Sequence, residues 1–257
     1  MENLGTLLGY KVFNIQSKED CEYVLAHAPK VISHLMFDTE TDSPIDMSKR
    51  TEDNINIKHD MPFLLQFGWN HEIYLIDFRD FDDYVAIFEL FESLTNRTRM
   101  NWAQNAKFDI NMLMNINYVW TKPNIYDTQT LIRLTVESKS EREGGMPLAL
   151  KPIASRMLGP QYATLGHEVD DALKLLWRNK LNDLMRLLKP YKISRRVIAD
   201  TLKDPTSAID EFPAEIQKIW TDWNETSFVS YKDVPKDIMH KYGACDIIIW
   251  LYHQSLA

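Results

Sequence analysis

The sequence predicts an α/β domain in which helices flank a mixed sheet and a helical insert occupies the later part of the chain. Three observations carry this. Phe63–Trp69 and Ile73–Asp77 are apolar, strand-like runs joined by a short polar turn, which predicts an antiparallel meander. Beyond Asp77, helical stretches alternate with short strands, as βα units do. From about residue 160 to 230 the pattern is almost wholly helical.

Taken in order, Tyr10–Ile15 reads as a strand and Ser17–His27 as a short helix with Ser17 as its cap. Val31–Phe37 is a short, mostly apolar run, the pattern of a strand buried on both faces. Asp42–Pro62 is polar and reads as a loop, and Asn70-His71 as the tight turn of the hairpin. Tyr84–Leu94 is predicted helical, Met100–Trp102 a short strand, and Asn105–Met114 a helix. Ile125-Tyr126 reads as a last short strand leading into a helix over Asp127–Val136. Ser138–Pro147 is a charged loop and the best candidate for disorder. Leu148–Leu158 is expected to be helical, with Pro152 tolerated in its first turns. In the insert, Val169, Leu173, Leu176, Trp177, Leu181, Leu184 and Leu188 recur at helical spacing. No internal repeat or low-complexity segment interrupts this, and residues 1–257 are expected to form a single domain.

The apolar and charged fractions, 45% and 26%, are those of an ordinary globular protein. No apolar run approaches a membrane span, and the first residues lack a cationic signal-peptide start, so a cytoplasmic location is expected. Two cysteines, Cys21 and Cys245, without metal-type spacing, read as buried thiols. A net charge of −8 argues against coating duplex nucleic acid with the whole surface, but not against gripping a few nucleotides. Locally the balance reverses. Lys174–Lys203 carries nine basic residues against Asp183 and Asp200, which reads either as a phosphate-tracking face or as a solvated helix face.

The strongest chemical signal follows the Val31–Phe37 run, which ends in Asp38-Thr-Glu40. Alternation along a strand points Asp38 and Glu40 the same way. Adjacent carboxylates repel unless a cation lies between them, and a hard divalent ion takes oxygen ligands. An acidic loop after a strand would carry the same residues. Two further acids stand in apolar stripes: Asp109 with Met112, Leu113 and Ile116, and Asp246 with Tyr242, Cys245, Ile249 and Trp250. Such acids are helix caps, hydrogen-bonded buried acids or metal ligands.

Taken together, D-x-E at a strand end, N-x-x-x-F-D on a helix and Y-x-x-x-D on a late helix resemble the DEDD superfamily of 3′–5′ exonucleases, in its tyrosine subclass. The sister subclass has histidine five residues before the final aspartate, where Lys241 stands; His240 lies about 100° further round the helix. Phe37–Ser43 and Gln104–Asp109 resemble the first two motifs of the proofreading exonuclease domain of family A DNA polymerases, phage-type ones included. Leu148–Gly159 and Tyr231–Asp246 are similar to that family's helix between motifs two and three and to its approach to motif three. Pro44 and Ile45 stand where that family commonly has a leucine against the terminal base, so Ile45 is the expected substitute.

The resemblance implies a ribonuclease H-like fold, with a five-stranded mixed sheet of antiparallel meander plus parallel strands. It implies two divalent cations, Mg²⁺ or Mn²⁺, held by Asp38, Glu40, Asp109 and Asp246, with Tyr242 positioning the attacking water. A phenol with a reference pKa of about 10 is a poor base near neutrality, so the metal must acidify that water. Thr39, Gln104 and Asn105 fall at positions that hold the terminal nucleotide, and Asp127 at one that supports the ligands. The expected activity is removal of 5′-mononucleotides from single-stranded or frayed DNA 3′ ends, as proofreading for a DNA polymerase. No polymerase region follows motif three, so the expected forms are a stand-alone enzyme, a subunit beside a separate polymerase, or an excised domain, in a bacterial or phage-infected cytoplasm. The alternatives are a ribonuclease D-like RNA exonuclease, a non-catalytic binding module on the same fold, and an endonuclease on that scaffold.

Overall fold

The computed structural model describes residues 1–42, 44–46, 51–52, 60–122, 124–135, 155, 165–203, 212–226 and 229–255. Its central element is β3 (Ile32–Thr41), hydrogen-bonded on both sides: antiparallel to β6 (Pro62–Trp69) and parallel to β8 (Thr98–Ala103). A strand enclosed in this way meets apolar neighbours on both faces, which accounts for the apolar run before Asp38. Outward from β6 lie β7 (Glu72–Asp77), β2 (Tyr10–Ile15) and β1 (Glu2–Leu7), and outward from β8 lies β9 (Ile125–Asp127). The α/β architecture is as expected: a mixed sheet flanked by helices, with a helical insert.

Several details differ from the sequence reading. The sheet has seven strands, not five, because β1 and β2 extend it past β7. β1 carries no alternation to read: residues 2–6 are all exposed and only Leu7 is half-buried. Its pairing with β2 shifts register between Asn3 and Gly5, where Gly5 adopts φ +98°, open to glycine without strain. Residues 42–62 are not all loop, since Pro44–Asp46 (β4) and Thr51–Glu52 (β5) form a small sheet with Val229–Ser230 (β10). The expectations for Ser138–Pro147 and Leu148–Leu158 lie outside the described residues, apart from a helical Ser155.

Other expectations hold. Ser17 caps α1 (Lys18–His27) by accepting from the Asp20 N–H at 3.3 Å. Trp69 pairs with Glu72, leaving Asn70-His71 as a two-residue turn, with Asn70 in the left-handed region at φ 52°. α2 (Tyr84–Arg97) and α3 (Ala106–Asn115) bury Ile87, Leu90, Phe91, Leu113 and Ile116 against Leu35 and Phe37 of β3. α4 (Thr128–Thr135) follows β9 directly. Cys21 and Cys245 are free and buried, and burial pushes both thiols up to about 12. No helix among the described residues is long and apolar enough to cross a membrane.

By its internal contacts the chain divides into two units. One comprises Met1–Asp42, Asn56–Val169 and Lys236–Ala257, and holds the seven-stranded sheet. The other comprises Ser43–Ile55 and Asp170–Pro235. It contains most of α5 (Leu165–Leu188), with α6 (Arg195–Lys203) and α7 (Ala214–Thr226). Its core is Leu184, Leu188, Ile198, Ile216, Trp220 and Trp223; of the periodic apolar set in the sequence, Leu184 and Leu188 lie in it and Trp177 and Leu181 pack against it.

Candidate active site

The last helix, α8 (Lys236–Ser255), is apolar nearly all round and buried from Tyr242 to Leu251, as a helix enclosed in a core must be. It packs on β3, β6 and β7. Its approach to β6 is close at one point: a Cβ on Gly243 would lie 2.5 Å from Gln66 Nε2 and 2.9 Å from its Cγ. Gln66 is fully buried, lies directly across from Asp38, and donates from Nε2 to Glu40 Oε1 at 3.2 Å. Glycine in a helix interior costs about 1 kcal/mol against alanine; here it makes room for the amide that holds Glu40.

A second tie sets the start of α8. Asp77, at the end of β7, is gripped by Arg79 Nε at 2.8 Å and lies 3.2 Å from His240 Nε2. Burial pushes the Asp77 carboxyl up, but the hydrogen bonds from Arg79 and His240 outweigh it and hold the group well below the usual carboxylate range. His240 is therefore engaged with β7, two residues before Tyr242.

This packing brings together acids from opposite ends of the chain. One oxygen each of Asp38, Glu40 and Asp246 lies within 4.8 Å of the other two. Glu40 and Asp246 are each 9% exposed and Asp38 is half-buried, so the group reaches solvent. Burial pushes Asp38 well above the usual carboxylate range, and the charges of Asp109, Glu40 and Asp246 push it further. Like charges held this close in a buried place are costly without a cation.

Asp109 comes from α3, on the β3 face that carries Leu35 and Phe37, and is almost fully buried. Its Oδ1 accepts from both the N–H and the hydroxyl of Thr39, at 2.9 and 2.8 Å. Its Oδ2 is buried and finds no hydrogen-bond partner among the described residues. Burial raises Asp109 to about 7, against the lowering effect of the Thr39 bonds. Asp109 is not one of the three acids whose oxygens converge, but its charge acts on Asp38, and a buried carboxylate oxygen without a partner fits a divalent ion bound through oxygen. On this donor set the residues present suit Mg²⁺ or Mn²⁺.

The remaining candidates are placed as follows. Tyr242 is buried one turn before Asp246. Asn105 sits in the left-handed region at φ 56°, which asparagine tolerates, and turns the chain from β8 into α3. Its N–H donates to Asp127 Oδ1 at 3.0 Å, and Asp127 also accepts from the Gln129 N–H at 2.8 Å at the start of α4. Gln104 Oε1 accepts from the Thr128 hydroxyl at 2.5 Å. Ile45 pairs with Val229 in the small sheet of the second unit, and its side chain is outside the described residues. The sequence reading missed Gln66 and Gly243, although each left a signal: a polar residue amid the apolar run Phe63–Trp69, and a glycine inside a helix.

Gly243→Ala should displace Gln66 from Glu40. Expected are a loss of about 1–3 kcal/mol of stability from overpacking and, if the acids hold a divalent ion, a fall in Mn²⁺ affinity of about 10–100-fold, the scale of losing an outer partner of a ligand. Unchanged Mn²⁺ affinity in a folded Gly243→Ala protein would show that Glu40 does not depend on this amide.

No protein-family model matches the sequence, and no curated protein matches it. Solved structures do. The Aedes aegypti Nibbler EXO domain is 17% identical over 52% of this chain and 60% of its own, with a TM-score of 0.38. Trypanosoma brucei RNase D in complex with GMP is 11% identical over 95% of this chain and 56% of its own, at 0.49. The catalytic core of RRP6 from Trypanosoma brucei is 12% identical over 98% and 51%, at 0.43. The chain thus spans little more than half the length of these proteins.

Proposed function

We propose that this protein is a metal-dependent 3′–5′ exonuclease that releases 5′-mononucleotides from single-stranded ends, with residues 1–257 acting as one exonuclease domain. The observation that carries the proposal is the convergence of Asp38, Glu40 and Asp246, with the unsatisfied Asp109 Oδ2 in electrostatic reach. An acidic pocket of this kind repels a phosphodiester until cations fill it. Two divalent ions held by Asp38, Glu40, Asp109 and Asp246 would supply an activated water and stabilise the leaving 3′ oxygen.

The protein's own groups do the rest. Thr39 fixes the Asp109 carboxylate through Oδ1 and leaves Oδ2 to face a ligand. Gln66 fixes Glu40, and the Asp77–His240 contact sets the register of α8. Tyr242 orients the water by hydrogen bonding, since its phenol is too weak a base to deprotonate it near neutral pH. Asn105, held by Asp127, and Gln104 bind the terminal nucleotide.

Two polymers fit this chemistry. The sequence motifs resemble those of polymerase proofreading domains, whereas the solved structures include RNase D in complex with RNA U12, and the comparisons tie the chain to no polymerase. Digestion of 3′-labelled DNA and RNA oligonucleotides of one sequence, with and without Mg²⁺, separates the readings. Mononucleotide release from RNA alone supports an RNA-processing enzyme. Release from DNA, faster at a mismatched than a matched primer end, supports proofreading. A circular single strand should survive in either case; cutting it would indicate an endonuclease.

A further inference from the structure

The exonuclease reading leaves the basic stretch of the insert unused. α5 ends at Leu188, a 3₁₀ turn spans Lys189–Tyr191, and Lys192 reverses the chain in the left-handed region at φ 55° before α6 begins at Arg195. This corner lines a cavity of ≈ 580 Å³, within the ~300–1,000 Å³ of ligand-binding clefts. Arg186, Lys189, Lys192 and Arg195 line it, with Asn182 beside them and an apolar floor that includes Met185 and Ile198. No acid is among the lining residues. Arg186 pairs with Asp183 at 3.1 Å on the exposed helix surface, while Lys189, Lys192 and Arg195 form no ion pair among the described residues.

Helix electrostatics explain only part of this. Lys189 follows the C-terminus of α5, where a cation is favoured, but Arg195 stands in the first turn of α6, which holds no acid, where a cation is disfavoured. Four cations concentrated on one concavity of a chain with net charge −8 call for a polyanion. The separate cations suit successive phosphates of a single strand.

We propose that this cavity is a second nucleic-acid site, which binds the sugar–phosphate backbone of a single-stranded polynucleotide. The proposal rests on the exonuclease reading only for the identity of the polymer as substrate. The test measures binding of a labelled oligothymidine of about 12 nucleotides, within the ~4–16 nucleotide sites of single-strand binders. Binding is followed against salt in EDTA, where no metal-dependent cutting competes. Lys189→Glu/Arg195→Glu is compared with Lys30→Glu/Lys218→Glu, which changes net charge equally at two positions outside the cavity.

The cavity variant should bind at least about 10-fold more weakly and flatten the plot of log K against log salt by about 1.4, or ~0.7 for each phosphate no longer neutralised. The control pair should change the slope by much less. Hydrolysis of a dinucleotide with Mg²⁺ should be the same in both. Lys189→Gln/Arg195→Gln, which removes charge without reversing it, should shift affinity and slope in the same direction and guards against misfolding. Equal affinity and slope in the cavity and control variants would overturn the proposal. Loss of binding in a protein that cuts no polymer would leave it standing and overturn the exonuclease reading instead.

Discussion

Asp38→Ala should remove 3′-end digestion, by on the order of 10³-fold or more, well beyond the roughly 10–100-fold cost of losing an outer partner of a metal ligand. Asp38 is the acid on which the other three converge, through proximity of Glu40 and Asp246 and through the charge of Asp109. If the cluster holds cations as proposed, removing Asp38 leaves the remaining acids too few to hold a pair. The fold should survive, because the deleted carboxyl is half-buried and repelled by its neighbours, so its loss relieves strain in the metal-free protein. Asp246→Ala should behave alike, from the opposite element. Circular dichroism and a thermal midpoint would report folding, and release of labelled mononucleotide with Mg²⁺ would report activity. If Asp38→Ala digests oligonucleotides as fast as the unaltered protein, the acid cluster is not the catalytic site.

Stability without metal should fall as pH rises from about 5 to 8, and saturating Mn²⁺ should restore it. Burial raises Asp38 and Asp109 above their ordinary range, Asp109 to about 7. A carboxyl with a raised folded pKa keeps its proton longer when folded than when unfolded, so its contribution is complete below the unfolded value of about 3.9 and is lost as pH climbs through the folded value. At about 1.36 kcal/mol per unit, the acids together should cost a few kcal/mol near pH 8. Asp77 has the opposite sign: its folded pKa is depressed, so its stabilisation is present above about 3.9 and is lost only on further acidification. The window from about pH 5 to 8 therefore separates the cluster from Asp77, and the Asp38→Asn comparison separates it from the histidines that titrate in the same range. Denaturant midpoints in EDTA across that range measure the slope, and Asp38→Asn should flatten it. A pH-independent midpoint, with no response to Mn²⁺, would show that these acids neither repel one another nor bind the ion.

Much of the site was legible because strand and helix periods place side chains by simple rules. Asp38 and Glu40 two apart on a strand must share a face, and Asp109 and Asp246 stood out as acids inside apolar stripes. β1 was not legible, because an exposed edge strand has no buried face to impose alternation. The small sheet of β4, β5 and β10 was hidden for a different reason: Ile45 meets Val229 only after a separation in sequence that no local pattern spans. The role of Gln66 depended on which helix would cover β6, and that of Gly243 on how closely it would come.

From sequence alone came the residue types and their local spacing: an acid pair ending a buried strand, acids and a tyrosine on apolar helix faces, and a basic stretch in a helical insert. Only the tertiary structure decided that Asp246 reaches Asp38 and Glu40, that Thr39 commits its hydroxyl to Asp109, and that four cations of the insert line one cavity. Backbone periodicity sets direction within an element. Distance between elements is set by long-range packing, through close contacts such as that of Gly243 with Gln66, which local spacing does not encode.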